Sequence, residues 1–209
     1  MRHRLPPLII VFARKPEPGK VKTRLGVRPD DACALHTCFV RGTLQMLAAI
    51  PNVAVELSTD AACAEWPEWP GRRSIQRPGD LGARMYGAIE RSLRAGHPQV
   101  LILGSDSPGL PASHVTELLG SGADVTLGPT DDGGYYAICC RRAHASMFRG
   151  VRWSSRTTLQ DTIREAQLCG LNTHLGPQWF DIDTPDDLNR LRLTPGLDRE
   201  TRELLKAIA

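Results

Sequence analysis

Apolar and polar positions along this chain follow two alternating rhythms: short runs of strand length, separated by longer stretches with helical spacing. The runs are LIIVFA from Leu8 to Ala13, VAVELS from Val53 to Ser58, QVLILG from Gln99 to Gly104, ADVTLG from Ala123 to Gly128, YYAICC from Tyr135 to Cys140 and a short NTHL at Asn172–Leu175. Runs as apolar as LIIVFA and VLIL suit strands covered on both faces. Between the first two, Ala34, Leu35, Cys38, Phe39, Leu44 and Leu47 largely keep helical spacing, which predicts a helix capped by Asp30 and Asp31 and stopped near Ile50 by Pro51 and Asn52. Gly79 and Asp80 open a second helix, GARMYGAIERSLRAG, with arginines in its last turns. Further helices are predicted from about Ala112, over Thr157–Cys169, and after Thr184-Pro185, where threonine caps and proline takes the first turn. The stretch around Trp66 and Trp69 reads as an irregular excursion that packs on a sheet edge or on a partner subunit. Strand, crossover, strand order predicts an α/β fold, a doubly wound, mostly parallel sheet in a single domain over residues 1–209.

Composition narrows the partners. With 209 residues, 41% of them hydrophobic, the chain buries one substantial core. A net charge of only +3, without a clustered basic face, argues against nucleic acid and for a localised polyanion. Cys33, Cys38, Cys63, Cys139, Cys140 and Cys169 lack CxxC spacing and read as reduced packing thiols of a cytoplasmic protein. Adjacent strand positions point Cys139 and Cys140 to opposite faces, which disfavours a shared metal. Arg2 and Arg4 before LPPLIIVFA imitate a secretory leader, but the run is short, holds a Pro-Pro pair and ends in Arg14-Lys15 instead of small residues. No apolar stretch approaches the roughly 18–20 residues of a membrane span, so no membrane partner is expected.

The chemistry concentrates after the first strand. FARKPEPGKVKTRL places Arg14, Lys15, Lys20, Lys22 and Arg24 in a loop whose only acid is Glu17 and whose Pro16, Pro18 and Gly19 keep it out of regular structure. A cationic loop at the carboxyl end of a strand lies where open α/β sheets bind ligands, so the loop reads as a phosphate site. Asp106, just past the LILG strand, should project into the same crevice, where hard oxygen ligands suit magnesium. In Phe180-Asp181-Ile182-Asp183-Thr184 the two aspartates share a face if extended, so one reaches a metal while the other holds a loop. Asp186 and Asp187 already serve the helix start, which leaves Asp183 as the second metal candidate. The loop Gly128–Tyr135 adds Asp132, Gly133, Gly134 and Tyr135 as substrate-binding candidates, because paired glycines let backbone amides approach a ligand. The six histidines show no zinc spacing and read as surface or capping residues. GxGxxG, the phosphate loop GxxxxGK[ST] and a Gly-x-Ser-x-Gly elbow are all absent.

The ordered set FARKPEPGKVKTRL, GDLGARM, LILGSDSPGLP, GPTDDGGYYAI, FRGVRWSS and DIDTPDDL resembles an uncharacterised bacterial family, DUF2064-like, of the nucleotide-diphospho-sugar transferase superfamily. The superfamily has the Rossmann-like glycosyltransferase A fold and includes phospholactate guanylyltransferases and molybdenum-cofactor nucleotidyltransferases. The resemblance implies a nucleotide-binding role for the first loop, with Lys22 and Arg24 near a triphosphate, and for Gly82 and Arg84 near the base. It implies Asp106 and Asp183 as ligands of Mg2+ or Mn2+. Metal-dependent nucleotidyl transfer from a nucleoside triphosphate to a small acceptor is the leading expectation. The alternatives are glycosyl transfer from a nucleotide sugar, with Asp132 as acceptor base, and a non-catalytic nucleotide-binding module. The first loop lacks the GxGxR signature of many sugar nucleotidyltransferases, and Asp106-Ser107-Pro108 carries half of a DxD. A homodimer stays open.

Overall fold

A computed structural model describes residues 5–208, so Arg2 and Arg4 lie outside the described residues. Seven strands form one sheet in the order β3-β2-β1-β4-β6-β5-β7: β1 Leu8–Ala13, β2 Ala54–Thr59, β3 Arg72–Ile75, β4 Val100–Gly104, β5 Val125–Pro129, β6 Tyr135–Cys140 and β7 Thr173–Leu175. Among the described residues six α-helices flank it: α1 Pro29–Ala48, α2 Leu81–Arg94, α3 Ala112–Gly120, α4 Thr158–Leu168, α5 Pro185–Arg192 and α6 Arg199–Ala207. The sheet is mostly parallel, as the pattern predicts, with one exception. β6 runs antiparallel to both β4 and β5. The connection from Thr130 to Gly134 is far too short for the crossover that a parallel neighbour requires, so β5 and β6 form a hairpin.

The period-two pattern sorts the strand residues onto two faces. Ile9, Val11 and Ala13 pack with Val40, Leu44, Leu47 and Val115 of α1 and α3 on one face. Leu8, Ile10, Val100 and Ile102 meet Met85 and Ile89 of α2 on the other. Cys139 and Cys140 follow the same alternation, one in each core. A third cluster joins Leu25 at the end of the basic loop to Leu35 and Phe39 of α1, to Phe180 and Ile182, and to Leu188, Leu197 and Leu205 around α5 and α6.

Three local expectations are corrected. Helix α1 is not capped by Asp30 or Asp31: Arg28 is its N-cap residue, without a side-chain cap bond, Pro29 follows, and the two acids lie in the first turn. There they favour the helix dipole, while Asp31 pairs with Arg28 at 2.8 Å. The excursion after β2 contains a strand, β3, hidden from the pattern because its RRSI sequence is largely exposed at the sheet edge. Trp66 is neither at an edge nor available to a partner. It is fully buried, at 0% exposure, in the α1 side of the core, and its Nε1 donates to the Thr37 carbonyl at 2.9 Å; Trp69 packs half-buried against the same core. By contrast Asp80 caps α2 by accepting from the Ala83 amide, and Thr184 and Asp187 form a capping box at α5.

Trp66→Ala should therefore lower stability by about 3–5 kcal/mol, the range for large buried aromatics. Urea denaturation followed by circular dichroism checks it; a loss under 1 kcal/mol would mean that the excursion does not seal this core.

Candidate functional site

The parallel strands β1, β2 and β4 deliver their carboxyl ends to one edge of the sheet, and the hairpin start of β6 reaches the same edge. A cleft of about 590 Å³ opens there. Its wall carries Arg14, Lys20, Lys22 and Arg24 from the first loop, Asp106 from the β4 loop, Asp181 and Asp183 from the segment before α5, and Arg84 with Met85 from α2.

Lys22 is the centre of this arrangement. Its side chain is only 3% exposed, and Nζ lies 2.6 Å from Asp106 Oδ1 and 3.4 Å from Asp183 Oδ1. The same ammonium donates to the Ile182 carbonyl at 2.7 Å. Arg24 adds a 2.7 Å bond to Asp183 Oδ2. Lys22 pays for this position with a left-handed backbone, φ +50°, a conformation that costs a non-glycine residue on the order of 1 kcal/mol or more and persists only where surroundings over-determine it. Three acceptors on one ammonium supply that determination.

The two acidic segments are also locked to each other. The Ile182 amide donates to the Asp106 carbonyl at 2.9 Å, and Ser107 Oγ donates to Asp181 Oδ1 at 2.5 Å. Asp181 is thus the aspartate that holds the loop, and Asp183 the one that faces the cations. Their electrostatics diverge. Burial works to raise the Asp106 carboxyl, but Lys22, through both charge and hydrogen bond, outweighs it and holds the group below its ordinary value. At Asp181 burial dominates, the Ser107 bond opposes it and the negative charge of Asp106 reinforces it, so the carboxyl is pushed up to about 7.

The remaining residues singled out from sequence fall into two groups. Arg84 lines the cleft, its Nη1 donating to Gln76 Oε1 at 2.9 Å while its buried Nε has no partner. Tyr135 also lines it, with a buried hydroxyl that lacks a partner and is raised by burial. Lys15 and Lys20 both pair with Glu17, at 2.8 and 2.5 Å, and the Lys15 amide donates to Asp60, so Lys15 faces away from the cleft wall. Gly19 adopts φ +77° in the turn that carries them. Gly82 is a packing glycine: an added Cβ would meet Phe148 and Trp153 at 2.8 Å, and it does not line the cleft. Asp132, Gly133 and Gly134 also stay out of the lining. Asp132 Oδ1 accepts from Thr130 Oγ1 at 2.6 Å and from the Gly134 amide at 3.0 Å, while Gly133, at φ +88°, lets the Arg156 carbonyl approach so closely that a Cβ would sit 2.1 Å from it. That loop braces the 149–158 segment: Gly133 meets the Arg156 backbone, and Gly134 meets the Thr130 and Asp132 side chains, where a ligand was expected.

The lining residues without a counterpart among the sequence candidates include His36, Gln76 and Ser154. His36 corrects the surface-or-cap reading of the histidines. It is 3% exposed, and its Nε2 donates to the Arg14 carbonyl at 3.0 Å, so α1 holds the basic loop from beneath. Its place beside Leu35 and Phe39 on the apolar face of α1 was the available signal. His144 does cap, accepting from the Ser146 amide.

A sheet of this order with its anionic and cationic loops at one edge defines the class: the nucleotide-diphospho-sugar transferase superfamily with the glycosyltransferase A fold. The model of the family described as "Uncharacterized protein conserved in bacteria (DUF2064)" matches residues 40–155, and the chain belongs to that family. A solved protein from Desulfovibrio desulfuricans G20, described as a candidate nucleotide-diphospho-sugar transferase, is 34% identical, with a TM-score of 0.86 over 96% of this chain and 94% of its own. CMP:2-keto-3-deoxy-manno-octonic acid synthetase complexed with CTP shares the fold at 13% identity and TM-score 0.58, over 90% of this chain and 97% of its own. So does a 4-diphosphocytidyl-2C-methyl-D-erythritol synthase, at 12% identity and TM-score 0.54, over 90% and 99%. Among curated proteins there is no match.

The raised Asp181 carboxyl fixes the sign of a pH effect. The folded protein keeps this proton up to about pH 7, while an unfolded chain loses it near the ordinary 3.8. The stability Asp181 contributes is therefore fully present below about pH 4 and is lost as pH rises through 7. Asp181→Asn should flatten the decline of unfolding free energy between those pH values, read as the wild-type minus variant difference in urea titrations. A difference that does not change with pH would show that Asp181 titrates normally.

Proposed function

We propose that this protein is a nucleotide-dependent transferase, catalysing metal-dependent nucleotidyl transfer from a nucleoside triphosphate to a small phosphorylated or hydroxyl acceptor. The observation that carries the reading is the meeting of Lys22 and Arg24 with Asp106 and Asp183 in one cleft at the carboxyl edge of the sheet. Nucleotidyl transfer is catalysed chiefly by positioning and by stabilising phosphoryl charge, which calls for cations and a metal and for no covalent nucleophile. Arg14 and Lys20 extend the same cationic wall. The fold shared with a synthetase solved with CTP supports a nucleotide ligand.

The residues fit a particular kind of metal site. Among the described residues no cluster of three or more histidine, cysteine or acidic side chains is arranged to hold an ion. Asp106 and Asp183 alone supply two hard oxygen ligands, the number magnesium takes when substrate phosphates and water complete its shell. Mg2+ or Mn2+ held there would neutralise charge on the polyphosphate. The chain's own residues bind and orient: Arg24 and Lys22 on the phosphates, and Arg84, fixed by Gln76, on the nucleoside side. An acceptor that is already a phosphate needs no strong general base, consistent with an Asp132 carboxylate engaged by Thr130 and Gly134.

Glycosyl transfer from a nucleotide sugar is the second reading, favoured by the description of the 34% identical relative. Incubation of the pure protein with each nucleoside triphosphate and Mg2+ plus sugar-phosphate or alcohol acceptors, scored for pyrophosphate, separates the two. Pyrophosphate release is expected. Nucleotide-sugar turnover without it would reverse the order. Asp106→Ala should lower turnover at least a hundredfold, and Arg24→Ala about tenfold, the size of one charge-assisted phosphate contact. An Asp106→Ala protein with unchanged turnover would remove the carboxylate from the chemistry.

A further inference from the structure

Every hydrogen on the Lys22 ammonium is committed. An ammonium carries three donors, and Nζ has three acceptors within reach: Asp106 Oδ1 at 2.6 Å, Ile182 O at 2.7 Å and Asp183 Oδ1 at 3.4 Å. The side chain is 3% exposed, and Phe39 covers Nζ at 5.9 Å from the ring centroid. In this arrangement Lys22 has no donor left for a phosphate. A divalent ion bound to the two carboxylates would in turn face an ammonium seated between them, and two cations in a partly desolvated space repel strongly. The two carboxylates serve one cation at a time.

We infer that Lys22 is an internal counter-cation that competes with the divalent ion for Asp106 and Asp183, so that metal binding and the turning of Lys22 toward the polyphosphate are a single exchange. The inference rests on the reading of Asp106 and Asp183 as metal ligands. Displacement from both carboxylates frees two of the three ammonium donors. Charge stays balanced: the acids keep a cation throughout, and the ammonium trades two carboxylate oxygens for phosphate oxygens. Arg24, 73% exposed and bonded to Asp183 Oδ2 alone, is free to swing without such a trade. The protein thus binds free metal weakly, against the competing ammonium, and binds metal and polyphosphate together more tightly. This explains why a lysine said to touch phosphate sits inside an acidic pair.

Two measurements test this, neither relying on turnover. Mn2+ alone is titrated into wild type and Lys22→Met, with free Mn2+ read by electron paramagnetic resonance. Lys22→Met should bind Mn2+ at least tenfold more tightly; equal or weaker binding, including no binding by either protein, overturns the exchange. In unmodified protein, brief acetic anhydride labelling read by mass spectrometry should find Lys22 protected relative to Lys20, which is 75% exposed, and saturating Mn2+ should raise Lys22 labelling several-fold. Labelling of Lys22 that ignores saturating Mn2+ overturns the proposal, whether or not the methionine variant folds. A double Asp106→Asn, Asp183→Asn protein separates the levels. Mn2+ affinity equal to wild type there would remove the carboxylates from metal binding and sink the underlying reading as well; loss of Mn2+ in the double variant, with no gain in Lys22→Met, sinks the exchange alone.

Discussion

One ammonium ties the molecule's chemistry together. Lys22 reaches from the first loop to the β4 loop at Asp106 and to the segment before α5 at Ile182 and Asp183, so three parts of the chain separated by up to 161 residues converge on Nζ. Deleting it would leave two carboxylates facing each other in a partly buried cleft, a charge arrangement that costs more than the bonds themselves. The surroundings are built to hold this convergence. The third apolar cluster places Leu25, two turns of α1 and Ile182 in one packed unit, which anchors the first loop and the closing segment on either side of the ammonium. His36 ties the Arg14 carbonyl to α1, and the Ile182 amide ties the closing segment to Asp106. Packing sets the distances and electrostatics uses them.

The strand and helix plan was largely legible because its signals are strong and local: apolar runs at β1, β4 and β6, periodic faces on α1 and α2, and the Thr184-Pro185 start of α5. What escaped was decided by tertiary context. The four residues of β3 gain strand geometry by pairing with β2, and their RRSI sequence has no buried face to announce it. Trp66 looked like an interface residue because the prolines around it suppress any periodic signal, yet the loop folds back and drives the ring under α1.

The site divides the same way. The meeting of Lys22, Arg24, Asp106 and Asp183 in one cleft was legible, because backbone topology fixes where a strand delivers its next few residues. Residues whose role depends on a neighbour's identity were not. A Gly-Gly pair reads the same whether a phosphate or the Arg156 carbonyl sits against it, and only the fold shows the carbonyl. Gly82 is the same case, with Trp153 and Phe148 as the neighbours. His36 and Gln76 act through long-range partners, Arg14 and Arg84, that no spacing rule connects.

Asp106 and Asp181 show how one cleft sustains two carboxyl groups of opposite character. Desolvation in the cleft alone would raise each. The difference is distribution of the single ammonium. Asp106 lies 2.6 Å from it and stays ionised, while Asp181 has a hydroxyl, Ser107, as its bonded partner and feels the negative charge of Asp106 in addition. A serine donor stabilises a carboxylate far less than a cation does. At neutral pH the acidic side of the cleft therefore carries fewer than three negative charges, which brings it close to balance against Lys22 and Arg24. A balanced cluster resists opening by either kind of ion alone. In the exchange proposed above it yields to a ligand that brings a polyanion for the cations and a cation for the acids in one encounter, a composition that a metal-nucleotide complex would have.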